Sequence, residues 1–167
     1  LRDTAVNVVG TDADLRGVLY AEAYEIIEGE PSALARIVDE PGTAIIGAGL
    51  STYFDRHVGD TMVLDAEGRD HRETVTVVAV ARRIGGVGTF SAKQTQVPGS
   101  TVLVSLDTWR RIGTDPRAGP PDPNRKVVRV LLARQAAGVD ETMLTKDLRL
   151  RYATEHSMRV SSTAESI

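Results

Sequence analysis

The sequence predicts an α+β fold, a mixed or antiparallel strand-rich lobe joined to a strand–helix–strand lobe. Residues 74–84 have an alternating pattern and are rich in β-branched side chains, which predicts a central strand. The strand predicted for residues 61–64 precedes it with only a polar hairpin turn between them, an arrangement typical of antiparallel pairing. Residues 127–160 instead alternate strand, helix and strand, which indicates the second lobe. The chain is therefore expected to form one domain, 1–167, with possible lobes at 1–100 and 101–167.

The first hundred residues contain several short elements bounded by glycine and proline. Strands are predicted at 5–9, 43–46, 61–64 and 74–84, and helices at 33–38 and 50–57. The segment 15–27 fits a short helix or a strand, and the sequence leaves this open. Along 74–84, simple alternation places Val75, Val77 and Ala79 on one face. Thr76, Val78 and Val80 then lie on the other face.

The remaining residues predict two further helices and three strands. Strands are expected at 101–105, 127–133 and 158–161, with loops at 85–100 and 114–125. A helix at 106–112 begins at a cap supplied by Ser105 or Asp107. Asp140 caps a helix that extends to about Tyr152. Its inward-facing residues are predicted to be Met143, Leu144, Leu148 and Leu150.

Composition excludes several classes of site. The 167 residues include no cysteine, which rules out disulfides, thiolate zinc sites and cysteine nucleophiles. The net charge of −3 and 4% aromatic content argue against a nucleic-acid-binding face. The three histidines are far apart in sequence, so no metal site is predicted, and no cofactor motif is found. The chain starts at Leu1 rather than methionine, which predicts a piece of a longer or processed polypeptide.

Gly47-Ala48-Gly49 is the motif that most resembles a nucleotide site. It follows a predicted strand and opens a helix, where backbone N–H groups can approach a phosphate. However, Thr52 occupies the position of the third glycine in a dinucleotide-binding fingerprint. The sequence favours a simple strand-to-helix turn. A soluble domain that binds a nucleotide or small molecule through Gly47–Gly49 remains an alternative, testable by thermal shift with nucleotides.

Other chemical motifs are incomplete. Ser51 lies where a nucleophile elbow would place its serine, but Tyr53 replaces the closing glycine, and His57 is six residues further on. Asp12 and Asp14 resemble the start of a calcium loop, yet Arg16 stands at the next ligand position. The arginine pairs at 82–83 and 110–111 lie at the ends of predicted elements, where their side chains are expected to be in solvent. No catalytic residue is predicted, and the chain is expected not to be an enzyme.

The loop at 85–100 is the predicted partner-binding segment. Three glycines and one aromatic residue lie close together in it, and an exposed aromatic side chain is costly without a partner. The predicted contact residues are Gly85, Gly86, Val87, Gly88 and Phe90. Deletion of residues 86–92 is expected to leave the fold intact and to weaken partner binding.

Seven segments, in order, resemble the extracytoplasmic domain of FtsX-like ABC transporter permeases, the MacB-like periplasmic core domain. The most specific is Val58-Gly59-Asp60-Thr61, in which glycine allows a turn and the aspartate can accept backbone hydrogen bonds. The segments are 5–12, 27–30, 44–54, 58–64, 75–80, 102–109 and the closing 128–133 with the helix at Asp140. Two departures are the absence of the family's preceding strand–helix unit and a local insertion at 114–125.

The resemblance implies a non-catalytic module of a multi-pass cell-membrane protein, placed on the extracytoplasmic side. A cytoplasmic ATPase would act on it through membrane helices, and the domain would engage a partner protein or a lipoprotein or peptide cargo. A permease dimer is one possible assembly. A third interpretation is a secreted scaffold or adhesion domain, which differs from the permease domain only in lacking flanking membrane helices.

Overall fold

The computed structural model describes residues 6–12, 14–17, 24–65, 72–84, 100–113 and 138–153. The chain divides into two compact units, Leu1–Val130 and Leu131–Ile167. The described part of the first unit is built around a mixed sheet and three helices, which confirms the predicted α+β class. Several predicted elements, at 66–70, 85–99, 114–133 and 158–161, lie outside the described residues.

Within the described residues, the sheet of the first unit has six strands. They are β1 (Asn7–Thr11), β2 (Tyr24–Gly29), β3 (Thr43–Gly47), β4 (Thr61–Asp65), β5 (Arg72–Ile84) and β6 (Thr101–Ser105). The order is β1-β6-β3-β5-β2, with β4 also paired to β5. β1 runs parallel to β6, and β3 runs parallel to β5. The other pairs are antiparallel.

Strand β5 pairs with three other strands, more than any other strand of the described sheet. β3 pairs with its middle on one edge. On the opposite edge, β4 pairs with the first five residues and β2 with the last six, so β4 and β2 follow one another along β5. Residues 77–81 of β5 are all buried, as a strand covered on both faces requires.

The predicted alternation along β5 is wrong beyond Val77. Ala44 pairs with Val77 and its neighbour Ile45 pairs with Ala79, so Val78 is an extra residue on β5. Such a β-bulge shifts the alternation by one residue. Val80 consequently joins Val75 and Val77 in one hydrophobic cluster, whereas Ala79 does not.

The helices of the first unit cover the two faces of the sheet. They are α1 (Ala33–Asp39), α2 (Ala48–Phe54) and α3 (Leu106–Gly113). Leu50 of α2 and Trp109 and Ile112 of α3 pack against the face that carries Val75 and Val77. α1 contacts β3, β5 and β6, and its buried side chains belong to the opposite face.

The segment that the sequence left open, 15–27, contains both kinds of structure. A single 3-10 turn spans Leu15–Gly17, with Leu15 buried, and β2 begins at Tyr24. β6 has the predicted bounds, and it lies between β1 and β3 within the sheet. The lobe boundary placed at residue 100 therefore falls inside the sheet, and the two compact units divide after Val130 instead.

The second unit contains α4 (Glu141–Leu148), which continues as a π-helical turn, Arg149–Ala153. The predicted cap is confirmed, because the Met143 N–H donates to Asp140 Oδ1 at 2.8 Å. The predicted inward orientation of Met143 and Leu150 is wrong, since these residues are 73% and 68% exposed. In the residues that the structure describes, no helix is long and apolar enough to cross a membrane.

Candidate functional site

The partner-binding residues predicted from the sequence, Gly85, Gly86, Val87, Gly88 and Phe90, lie outside the described residues. The described candidate is the outer edge of the sheet, beyond β5. We call this surface the β2–β4 edge and define it as residues 24–30 and 55–65, which comprise β2, β4 and the turn before β4. Its geometry brings together two of the segments that carry the family resemblance.

The turn before β4 is hydrogen-bonded to β5 as if it were part of the edge strand. The Gly59 N–H donates to the Val77 carbonyl at 2.8 Å, and the Val77 N–H donates to the Asp60 carbonyl at 2.8 Å. Gly59 has φ +95°, a conformation that L side chains rarely adopt. The His57 N–H donates to Asp60 Oδ2 at 2.9 Å, which confirms that Asp60 accepts a backbone hydrogen bond.

Glu28, near the end of β2, ties this turn to the neighbouring strand. Its Oε1 accepts the Val58 N–H at 2.8 Å. Its Oε2 lies 3.0 Å from His57 Nδ1. Both carboxylate oxygens are thus engaged by the turn, so that β2 and β4 are linked through one side chain. We call this arrangement the Glu28–His57 clasp.

Gly29 fixes the position of the clasp. It has φ +87°, and a Cβ atom there would lie 2.7 Å from the Val78 carbonyl oxygen and 3.1 Å from the Ala79 Cα. Only glycine allows β2 to approach β5 this closely in this conformation. The end of β2 is therefore held against β5, and the adjacent Glu28 side chain reaches the turn.

The clasp changes the ionisation of its two members. The hydrogen bond to Glu28 and its negative charge raise the pKa of His57, and Asp55, 3.6 Å from Nε2, adds to the effect. The hydrogen bonds from His57 and from the Val58 N–H lower the pKa of Glu28. Each shift favours the charged form, as expected for two groups of opposite charge that are hydrogen-bonded to one another.

Exposed apolar side chains are concentrated on the same edge. Among the described residues of the first unit, the exposed large hydrophobic residues are Ile27, Val58 and Val63. Val63, in the middle of β4, is 60% exposed. Single exposed apolar residues are ordinary, but their confinement to one edge of a sheet is a feature of contact surfaces.

The Gly47–Gly49 segment forms a direct junction between strand and helix. Gly47 is the last residue of β3, and Ala48 begins α2, which has only seven residues. β3 has one parallel neighbour, β5, and one antiparallel neighbour, β6. This arrangement differs from the doubly wound parallel sheet in which the dinucleotide fingerprint operates.

The other sequence candidates make structural contacts. Ser51 is buried within α2, and its carbonyl accepts the Arg56 N–H, whereas the His57 ring contacts Glu28 and Asp55. Asp14 accepts hydrogen bonds from Arg16, which lower the pKa of Asp14. Within the described ranges, no group of three or more His, Asp or Glu residues could hold a metal ion.

The arginine pairs also bind acidic neighbours. Arg82 forms an ion pair with Glu25 of β2, and Arg110 with Asp107 on its own helix. Arg111 bonds Glu73 of β5 at 2.8 Å through Nε and reaches the buried Thr108 hydroxyl at 3.1 Å. The same hydroxyl accepts the Gly42 N–H at 3.0 Å. Sequence reasoning missed this network and the clasp, because their members are far apart along the chain.

Comparisons with known proteins add no relative: no family model, curated protein or solved structure matches this chain. The geometry of the described residues is therefore the basis for interpreting the site. The β2–β4 edge presents carboxylates, exposed aliphatic side chains and two strands that, among the described strands, pair only with β5. Such a surface is suited to contact with another polypeptide.

Proposed function

We propose that this chain is the extracytoplasmic domain of an FtsX-like ABC transporter permease. In this role it performs no catalysis itself. It engages a partner protein or a lipoprotein or peptide cargo outside the membrane, and membrane helices of the parent protein couple it to a cytoplasmic ATPase. A permease dimer is the assembly in which two such domains would act together.

The observation that carries the proposal is the order of the resembling segments. Six of the seven segments overlap elements or turns of the single sheet unit, in the sequence β1, β2, β3–α2, turn–β4, β5 and β6–α3. The α+β class is also the class that the resemblance implies.

The segment Val58–Thr61 supports the proposal at the level of single residues. Its glycine has the positive φ that a turn residue requires, and its aspartate accepts the His57 N–H. The adjoining segment 27–30 contains Glu28, which binds the same turn. Two segments of the resemblance are thus parts of one structural feature.

The parent gene provides the direct test of the membrane context. Its sequence should be determined across both ends of the region that encodes Leu1–Ile167, and the flanks should be scanned for hydropathy. The proposal predicts an apolar stretch of about 20 residues, the length that spans a bilayer as a helix, on each side. Polar flanks on both sides would contradict the permease assignment and favour the scaffold or the nucleotide-binding alternative.

A further inference from the structure

We propose that the β2–β4 edge binds an extended, basic segment of a partner protein, which adds to the sheet as a strand beside β4. This inference rests on the proposed function in one respect, since it names the surface by which the domain would engage its partner.

β4 is the less protected of the two strands on this edge. β2 has two register shifts in its pairing with β5, and such bulges discourage the addition of another strand. β4 pairs with β5 without a register shift over all five residues, and its sequence contains no proline and no lysine. In the part of the chain that the structure describes, no strand pairs with the outer side of β4. The proposed strand would extend the ladder on this side of β4.

The side chains of β4 offer an apolar contact beside the backbone. Val63 is 60% exposed and pairs with Thr74 of β5, so its methyl groups lie on a solvent-facing part of the sheet. Val58, in the turn that precedes β4, is 41% exposed. An added strand with apolar residues at alternate positions would cover part of this surface.

The charge of the edge selects a basic occupant. Residues 24–30 and 55–65 contain six carboxylates, against one arginine and one histidine. Two of the six, Glu25 and Asp65, form ion pairs with arginines of β5. Glu28 is engaged by His57 and the Val58 N–H in the clasp. The remaining three lie around the junction of β2 and the turn: Glu30, Asp55 and Asp60. Arginine residues of an incoming strand would meet complementary charge there, whereas acidic segments would be repelled.

The test is a titration of the isotope-labelled 167-residue chain with three synthetic octapeptides, followed by NMR of the backbone amides. One peptide alternates arginine and valine, one alternates glutamate and valine, and one has the arginines of the first with proline in place of valine. We expect the arginine–valine peptide to shift the amides of β4 and not those of β1, the opposite edge strand. The acidic peptide should not bind, and the proline peptide should bind at least about fivefold more weakly, since proline cannot complete a β ladder.

Substitutions identify the surface. Val63→Lys places a positive charge on β4. We expect it to lower the affinity for the arginine–valine peptide by about tenfold. Met143→Lys is the matched control, because Met143 is also exposed but belongs to the second unit.

Asp55→Asn removes one carboxylate at the junction and should weaken binding of the arginine–valine peptide by about two- to threefold. Asp107→Asn on α3 is its control.

Several outcomes would overturn the inference. Shifts centred on β1, equal binding of the acidic peptide, equal binding of the proline peptide or no binding at all would each contradict it. Concentration-dependent broadening of β4 amides without peptide would show instead that a second copy of the chain occupies the edge. These results do not depend on the membrane context, so polar gene flanks would remove the permease assignment without deciding the peptide result.

Discussion

At the scale of single residues, β1 and α3 approach one another closely at Gly10. Trp109, the single tryptophan of the chain, lies over β1, and its Nε1–H donates to the Val8 carbonyl at 3.2 Å. A Cβ atom on Gly10 would lie 2.7 Å from the Trp109 Cβ and 3.2 Å from the Leu106 Cα. Glycine at this position is therefore required by α3 and not by a special backbone conformation.

Gly10→Ala is expected to lower the free energy of unfolding by roughly 1–3 kcal/mol, since the added methyl group overpacks a tight contact. Urea unfolding followed by Trp109 fluorescence measures this, because no other tryptophan contributes. Gly17→Ala is the control, since nothing lies within 4 Å of a Cβ atom there. Equal stability of Gly10→Ala and the parent chain would contradict the described contact.

The Glu28–His57 clasp predicts a dependence of stability on pH. Folding raises the pKa of His57 above its ordinary value of about 6.5, so the folded state binds the proton more tightly than the unfolded state. The stabilisation is then fully present below about pH 6.5, the unfolded pKa, and is lost as the pH rises through the raised pKa of the folded state.

His57→Gln removes this titration. We expect the difference in unfolding free energy between the parent chain and His57→Gln to decrease as the pH is raised from below 6 to above 8, measured by urea unfolding. With Glu28→Gln present in both chains, the pH-dependent part of this difference should become much smaller, because the main cause of the raised His57 pKa is removed and only Asp55 remains. A difference that stays constant across this range would show that the His57 pKa is not raised in the folded chain.

At the scale of elements, α3 is attached to the sheet by a buried polar cluster. Ser105 Oγ accepts the Thr108 N–H at 3.1 Å and lies 2.9 Å from the Thr108 hydroxyl, so that the predicted Ser105 cap is confirmed. Thr108 is fully buried and also accepts the Gly42 N–H, from the loop between α1 and β3. One hydroxyl thereby links the start of α3 to a loop that precedes the central part of the sheet.

Thr108→Val keeps the size of the side chain and removes the hydroxyl. The Gly42 N–H then loses its acceptor, and we expect a loss of about 1–3 kcal/mol in unfolding free energy. Thr108→Ser retains the hydroxyl and should be less destabilising than Thr108→Val. Thermal or urea unfolding of both variants provides the comparison. If the valine variant proved the more stable of the two, the polar cluster would not be a stabilising link.

At the scale of the whole molecule, the sequence predicted local features well and long-range features poorly. The bounds of β6 and the Asp140 cap follow from nearby residues, so pattern and capping rules were sufficient. The bulge at Val78 depends on how β5 pairs with β3, and the exposure of Met143 depends on what packs beside α4. Neither is encoded in the local pattern.

In the candidate site too, local features could be predicted from the sequence and long-range contacts could not. The turn at Gly59 and the hydrogen-bonding role of Asp60 could be anticipated from four consecutive residues. The contact between Glu28 and His57 could not, because it joins residues 29 positions apart and depends on β2 and β4 lying along the same edge of β5. One signal in the sequence did connect the two residues or their neighbours: the segments 27–30 and 58–64 both belong to the set that resembles the permease domain.

The measurement that tests the central claim most directly is the sidedness of this domain in the cell. Because the chain contains no cysteine, Met143→Cys, at an exposed position, can be introduced into a full-length parent protein from which any other cysteines have been removed. Val104→Cys, at a fully buried position, is the control for specific labelling. A membrane-impermeant maleimide is then applied to intact spheroplasts and, separately, to permeabilised ones. An extracytoplasmic permease domain predicts equal labelling of Met143→Cys in both preparations, and labelling only after permeabilisation would contradict the account.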